Sequence, residues 1–205
     1  MLTVRNLTRQ VPGRQILGPI DLDLEPGRPV ILGGPSGAGK SLLLRAIADL
    51  DPNEGEVSLG GASRRSVSAP EWRRKVTYLA AEPGWWAKRV GDHFAAAHLD
   101  AAGKLLPRLG FGLETIDWPV GGLSTGERQR LALVRLLVLA PAVMLLDEPT
   151  SALDEENRLR VEELIGERCA AGAAALIVSH DGEQAVRLGA RRLNLQGGII
   201  QEGGH

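Results

Sequence analysis

The chain has 205 residues, 43% of them hydrophobic and 24% charged, with 24 Lys and Arg against 25 Asp and Glu for a formal net charge of -1. That is the size of one domain, by a prior of roughly 150 residues each, and it is long enough to bury a core without cross-links. The single Cys169 excludes an intrachain disulfide and a cysteine metal cluster, and the balanced charge argues against a protein held to nucleic acid by bulk electrostatics, so no nucleic-acid partner is expected. The start, MLTVRNLTRQ, lacks a basic head followed by an apolar stretch. The uncharged run Leu136 to Leu146, broken by Pro141, falls well short of the roughly 20 residues a membrane-spanning helix requires. A cytoplasmic chain is expected, with any membrane role borrowed from a partner.

Gly and Pro divide the sequence into short strand-like and helix-like runs, the pattern of an α/β domain. Strands are predicted over Leu2 to Leu7, Ile20 to Leu24 and Pro29 to Leu32. Next comes GPSGAGKS, Gly34 to Ser41, which fits G-x-x-x-x-G-K-[ST] between an apolar strand and a helix-forming run. Across Gly34, Pro35, Ser36, Gly37, Ala38 and Gly39, successive backbone N–H groups can curl around a phosphate. Lys40 then neutralises β and γ oxygens, and Ser41 offers a hydroxyl to Mg²⁺. Strands are predicted again at Gly55 to Leu59 and Lys75 to Leu79. Residues 64 to 89 carry seven basic side chains against Glu71 and Glu82, which reads as a solvated face. Trp85 and Trp86 follow Pro83 and Gly84 in a loop, where they either cover core or form a patch for a partner. Trp85 to Pro119 is Ala-rich with two short helical patches and reads as an inserted subdomain.

LSTGERQR, Leu123 to Arg130, opens a long apolar helix pattern. Ser124 and Glu127 have the spacing of a capping box, and Gly126 lets an anion approach the backbone closely. VMLLDEP, Val143 to Pro149, is a continuous apolar strand ending in two carboxylates. Asp147 can hold Mg²⁺ through its water shell, and Glu148 is placed to polarise an attacking water. A helix follows Asp154, and strands are predicted at Ala174 to Ser179 and Arg192 to Leu195. VMLLD and ALIVS have the continuous apolar character of a buried parallel sheet, so an antiparallel layer precedes a parallel core. The terminal QEGGH is expected to fray.

In this order the motifs resemble the nucleotide-binding subunit of the ATP-binding cassette (ABC) transporter family, over nearly the whole chain. LSTGE resembles the signature LSGGQ or LSGGE, with Thr125 where a glycine usually sits. Ser151 to Asp154, SALD, resembles the D-loop, and His180 in IVSHD, 32 residues after Glu148, resembles the switch histidine. The resemblance implies an α/β P-loop NTPase with a mixed sheet, an ABC-type antiparallel β layer and a small helical subdomain at about residues 85–135, all in one domain spanning 1–205. It implies an ATPase using ATP and Mg²⁺ that works as a head-to-tail homodimer, or paired with a second similar subunit. In that dimer Ser124, Thr125, Gly126 and Glu127 close the site in trans, Glu148 activates water and His180 orients the γ-phosphate. It further implies a separate membrane-spanning permease and a peripheral place on the cytoplasmic face of the membrane.

Two positions depart from the family pattern. Ala81, followed by Glu82, stands where the family has a Gln that contacts metal and senses the membrane partner. Near Arg9 the family presents an aromatic ring to adenine, and here the planar guanidinium is the substitute candidate. One alternative is a soluble ABC-type ATPase acting on DNA or ribosomes, but its long coiled coils or tandem cassettes do not fit 205 residues. Another is a slow-hydrolysing regulatory module, prompted by Ala81 and Thr125 and opposed by the intact Glu148 and His180. A P-loop kinase would have no use for LSTGE. Cargo and direction are not written in this chain.

Overall fold

The computed structural model describes residues 1–11 and 14–203. Strands β1 (Leu2–Val11), β2 (Arg14–Leu24), β4 (Glu54–Leu59) and β5 (Ala62–Ser63) form an antiparallel sheet in the order β2-β1-β4-β5. The second sheet contains β3 (Pro29–Gly33), β6 (Val76–Leu79), β7 (Val143–Asp147), β8 (Ala174–Val178), β9 (Arg191–Gln196) and β10 (Ile199–Glu202). Its order is β10-β9-β3-β8-β7-β6, parallel throughout except for β10 at the edge.

The two-residue period of a strand explains why β7 and β8 are apolar at every position. Met144, Leu146, Ala175 and Ile177 point to one face, into a core shared with α4 (Thr125–Leu137), α5 (Glu155–Ala170) and the inserted stretch around Phe94, Leu106 and Phe111. Val143, Leu145, Leu176 and Val178 point to the other face, against α1 (Lys40–Ile47) and the apolar side of β1 and β2. Helices on one side and a second sheet on the other leave the carboxyl ends of β3, β7 and β8 to carry the loops at one edge. In open α/β sheets that edge is where ligands bind. Among the described residues no helix is long and apolar enough to cross a membrane.

The structure revises several boundaries. β1 continues to Val11 and β2 begins at Arg14, because bulged register shifts between Val4 and Gln10, with Asn6 at φ 50°, interrupt the alternation that marks a strand in sequence. Lys75 ends a helix, α2 (Ala69–Lys75), capped by Ser68, which turns Trp72 inward so that its Nε1 donates to the Ile47 carbonyl at 3.0 Å. The basic run is therefore only partly solvated. Arg64 is buried and donates to the Ala46 carbonyl at 2.8 Å and to Asn53 Oδ1 at 2.9 Å. The inserted stretch holds one short α-helix, α3 (Leu99–Leu105), and otherwise 3₁₀ turns, since Pro107, Gly110, Gly112 and Pro119 interrupt every longer helical run. At the carboxyl end Gln201 and Glu202 belong to β10, and the Gly203 N–H donates to the Arg192 carbonyl at 3.0 Å, so these residues are paired rather than frayed. Gly204 and His205 lie outside the described residues.

Candidate functional site

The loop between β3 and α1 is shaped by glycines at positive φ. Gly34, at φ 132°, packs so closely on β9 that a Cβ would run into the Leu195 carbonyl oxygen. Gly39, at φ 98°, starts α1 with no side-chain cap and no acidic residue in its first turn, so the free N–H groups and the positive end of the helix dipole face outward. Lys40 is only 7% exposed. Its Nζ folds back to donate to the carbonyls of Gly34 at 2.8 Å and Pro35 at 3.1 Å. The Ala38 N–H closes the turn on the Pro35 carbonyl at 3.2 Å.

A cleft of about 360 Å³ opens over this loop, lined by Ser36, Gly37, Gly39, Lys40, Ser41, Leu42, Glu148, Val178 and His180. Glu148 reaches it because β7 ends one residue earlier. Its N–H still bonds the Val178 carbonyl at 3.0 Å while its backbone turns to φ 49°, a left-handed conformation unusual for a side chain of this size. Glu148 Oε1 sits 3.3 Å from His180 Nε2, so a carboxylate and an imidazole meet across the cleft from the glycine loop. Asp147 is 4% exposed beneath them. Its Oδ2 accepts from the Tyr78 hydroxyl at 2.9 Å. Burial and the neighbouring Asp147 charge push the Tyr78 hydroxyl far above its ordinary pKa, which keeps it a donor. The donor set suits Mg²⁺. The Ser41 hydroxyl and the Asp147 carboxylate are hard oxygen donors of the kind that ion takes. The glycine loop with its uncapped helix end and Lys40 equally suits a chain of phosphates.

The LSTGE segment does not line this cleft. Ser124 caps α4 in a complete capping box: its Oγ accepts from the Glu127 N–H at 3.3 Å, while Glu127 Oε2 accepts from the Ser124 N–H and hydroxyl at 2.8 Å each. Those two bonds, the backbone one foremost, hold the Glu127 carboxyl below its usual range. Ser124 and Thr125 are exposed. Gly126 packs under Ser151 to Asp154, where a Cβ would stand 3.1 Å from the Ala152 carbonyl.

Arg9 is committed elsewhere than to stacking. Its NH1 pairs with Asp51 Oδ2 at 3.1 Å and donates to the Pro52 carbonyl at 3.3 Å, and Arg45 binds the same Asp51 at 2.8 Å. The edge of the Arg9 guanidinium is thus engaged by Asp51 and Pro52. Trp85 and Trp86 divide the two readings of their loop between them. Trp85 packs on the core, while Trp86 is 73% exposed. The Arg135 guanidinium lies 4.5 Å and 4.8 Å from the two ring centroids. Beside them a groove of about 310 Å³ is lined by Tyr78, Trp86, His93, Phe94, Arg135 and Leu139, among others.

Several further residues at the site find their partners far along the chain. The buried Gln129 Nε2 donates to the carbonyls of Glu148 at 3.1 Å and Ala81 at 3.3 Å, joining the Trp loop to the turn after β7. Behind His180, Arg187 clamps the buried Glu162 with two bonds of 2.7 Å and Asp181 with one of 2.5 Å, and Gln184 ties Glu162 to Thr150. Tyr78 and Asp147 are 69 residues apart, and only the parallel pairing of β6 with β7 brings them together.

Comparison with known proteins matches residues 17–151 to the family described as ABC transporter. The aliphatic sulfonates import ATP-binding protein SsuB 2 of Paracoccus denitrificans is 39% identical over 210 residues, covering 97% of this chain and 79% of that protein. SsuB 1 of Pseudomonas fluorescens is 37% identical, covering 97% and 74%. An ATP-binding subunit of an ABC transporter superposes over 100% of this chain and 89% of its own with a TM-score of 0.89 at 24% identity, a likeness of fold.

Proposed function

This chain belongs to the ABC transporter family, as an ATP-binding and ATP-hydrolysing subunit, and on that premise we propose how its residues carry the reaction. Gly34 to Ser41 hold the phosphates through backbone N–H groups, and Lys40 exchanges its two carbonyl contacts for the β and γ oxygens. Ser41, by its hydroxyl, and Asp147, through the ion's water shell, would hold Mg²⁺, which would offset negative charge on the phosphates. Glu148 receives the proton of the attacking water as the γ-phosphoryl bond breaks. His180, 3.3 Å from Glu148, orients the γ-phosphate.

Because Ser124, Thr125, Gly126 and Glu127 do not line the cleft of their own chain, they serve the cleft of a second copy, and two chains enclose two ATP molecules. Loss of the γ-phosphate loosens that dimer, and the movement passes to a membrane-spanning permease seated at the groove beside Trp86, on the cytoplasmic face of the membrane. The direction is import, taken from the relatives named for import of aliphatic sulfonates. Cargo is selected by the permease rather than by a cleft built for nucleotide.

The observation that carries this reading is the convergence of Lys40, Ser41, Glu148 and His180 on one cleft. Its test is ATP turnover beside ATP binding in the Glu148→Gln variant. Turnover is expected to fall by about 10²-fold or more with binding retained. Undiminished turnover removes Glu148 as the base. A pull-down of tagged Glu148→Gln protein from detergent-solubilised membranes with ATP and Mg²⁺ is expected to retain a multi-span protein; recovery of soluble partners alone contradicts the transport reading.

A further inference from the structure

We propose that Tyr78 is the positioning residue of the Mg²⁺ carboxylate, fixing Asp147 through its hydroxyl from the face of the sheet that packs on α1. The inference rests on Asp147 being the metal carboxylate, as proposed above. Tyr78 lies on β6 and Asp147 at the end of β7, and the parallel register pairs Tyr78 with Leu145, two residues before Asp147 on the same side of the sheet. The hydroxyl crosses that offset to donate to Asp147 Oδ2 at 2.9 Å, the length of a good charge-assisted bond. One carboxylate oxygen is thereby engaged, and Oδ1 is the oxygen that would face a hydrated Mg²⁺. A nearly buried carboxylate with no such donor would rotate freely and carry an uncompensated lone pair.

The charges around the hydroxyl reinforce the arrangement. The Arg45 guanidinium acts on the same hydroxyl, and Arg45 is itself held by both oxygens of Asp51 at 2.8 Å each, with Arg9 closing the pair from β1. Tyr78 thus stands in a line of alternating charge: Arg9, Asp51, Arg45, the hydroxyl, Asp147. The Tyr78 ring packs on the α1 face of the sheet with Leu145, opposite the face that Leu79 shares with Trp85. Neighbouring Ala81 offers no side chain to the metal carboxylate, so the polar link from β6 to Asp147 is made by Tyr78.

The test compares wild-type protein with Tyr78→Phe, which keeps the ring and removes the oxygen, and with Asp147→Asn. ATP affinity is measured by equilibrium binding in EDTA and across a Mg²⁺ titration. Tyr78→Phe is expected to bind ATP in EDTA as the wild type does, which also reports intact folding, and to need about tenfold more Mg²⁺ for the metal-dependent gain in affinity. A Tyr78→Phe titration that overlays the wild type, with Asp147→Asn shifted, overturns the role of Tyr78 and leaves the metal assignment standing. An Asp147→Asn titration that overlays the wild type overturns both.

Discussion

Glu148 and His180 show how much a single backbone angle decides. A residue that continued β7 in extended conformation would point its side chain into one face of the sheet; at φ 49° Glu148 turns into the cleft and meets His180. Replacing His180 with Ala is expected to lower turnover by one to two orders of magnitude while leaving ATP affinity within about twofold, as steady-state kinetics beside equilibrium binding will show. Gln129→Leu removes a donor shared by two buried carbonyls and is expected to cost about 1–3 kcal/mol, read as a fall in thermal midpoint. At this scale the sequence reveals what is local. Lys40, Ser41, Asp147 and Glu148 stand in local motifs, and His180 is singled out by the family resemblance. Tyr78 and Gln129 act through partners many residues away, and no spacing links them before the strands are paired. The ion pair of Arg9 is hidden for a related reason: its partner Asp51 lies 42 residues on, outside β1.

Among the elements, α4 and the turn after β8 carry separable predictions. The capping box makes Ser124 structural as well as functional, so Ser124→Ala is expected to cost about 1 kcal/mol, a fall of roughly 2–4 °C in melting temperature. Behind His180, the Arg187 guanidinium beside Asp181 holds that carboxyl below its usual range. A carboxyl with a lowered folded-state pKa stabilises the fold above its unfolded value and loses that stabilisation as pH falls through the folded value. Arg187→Met is therefore expected to melt below the wild type at pH 7, with the gap closing as pH drops below about 4, in a series of melts across pH. The long helices, the glycine loop and the two central apolar strands are legible in the sequence because one periodicity runs through each. The extent of β1 and β2, the helix around Trp72 and the edge strand β10 are not, because bulges break the first pair, a basic run hides the second, and β10 is only four residues long.

For the whole molecule, the sheet edge gathers the glycine loop, Glu148 and His180 at one cleft, with Asp147 at the end of β7 one residue before Glu148, while α4 begins outside it with Ser124 and Thr125 exposed. On the proposed reading LSTGE completes the cleft of a second copy, and two copies related by a twofold axis would satisfy both sites at once. The groove beside Trp86 is lined by none of the residues that line the cleft, so the proposed permease docking and dimer closure would use different parts of the chain. The most direct measurement is light scattering on the Glu148→Gln protein after gel filtration, with and without ATP and Mg²⁺, alone and combined with Ser124→Arg. The account predicts a dimer only when nucleotide is present and Ser124 is intact, and a monomer that still binds ATP when Ser124→Arg is added. A protein that stays monomeric at saturating ATP, or a dimer that survives Ser124→Arg, would contradict it.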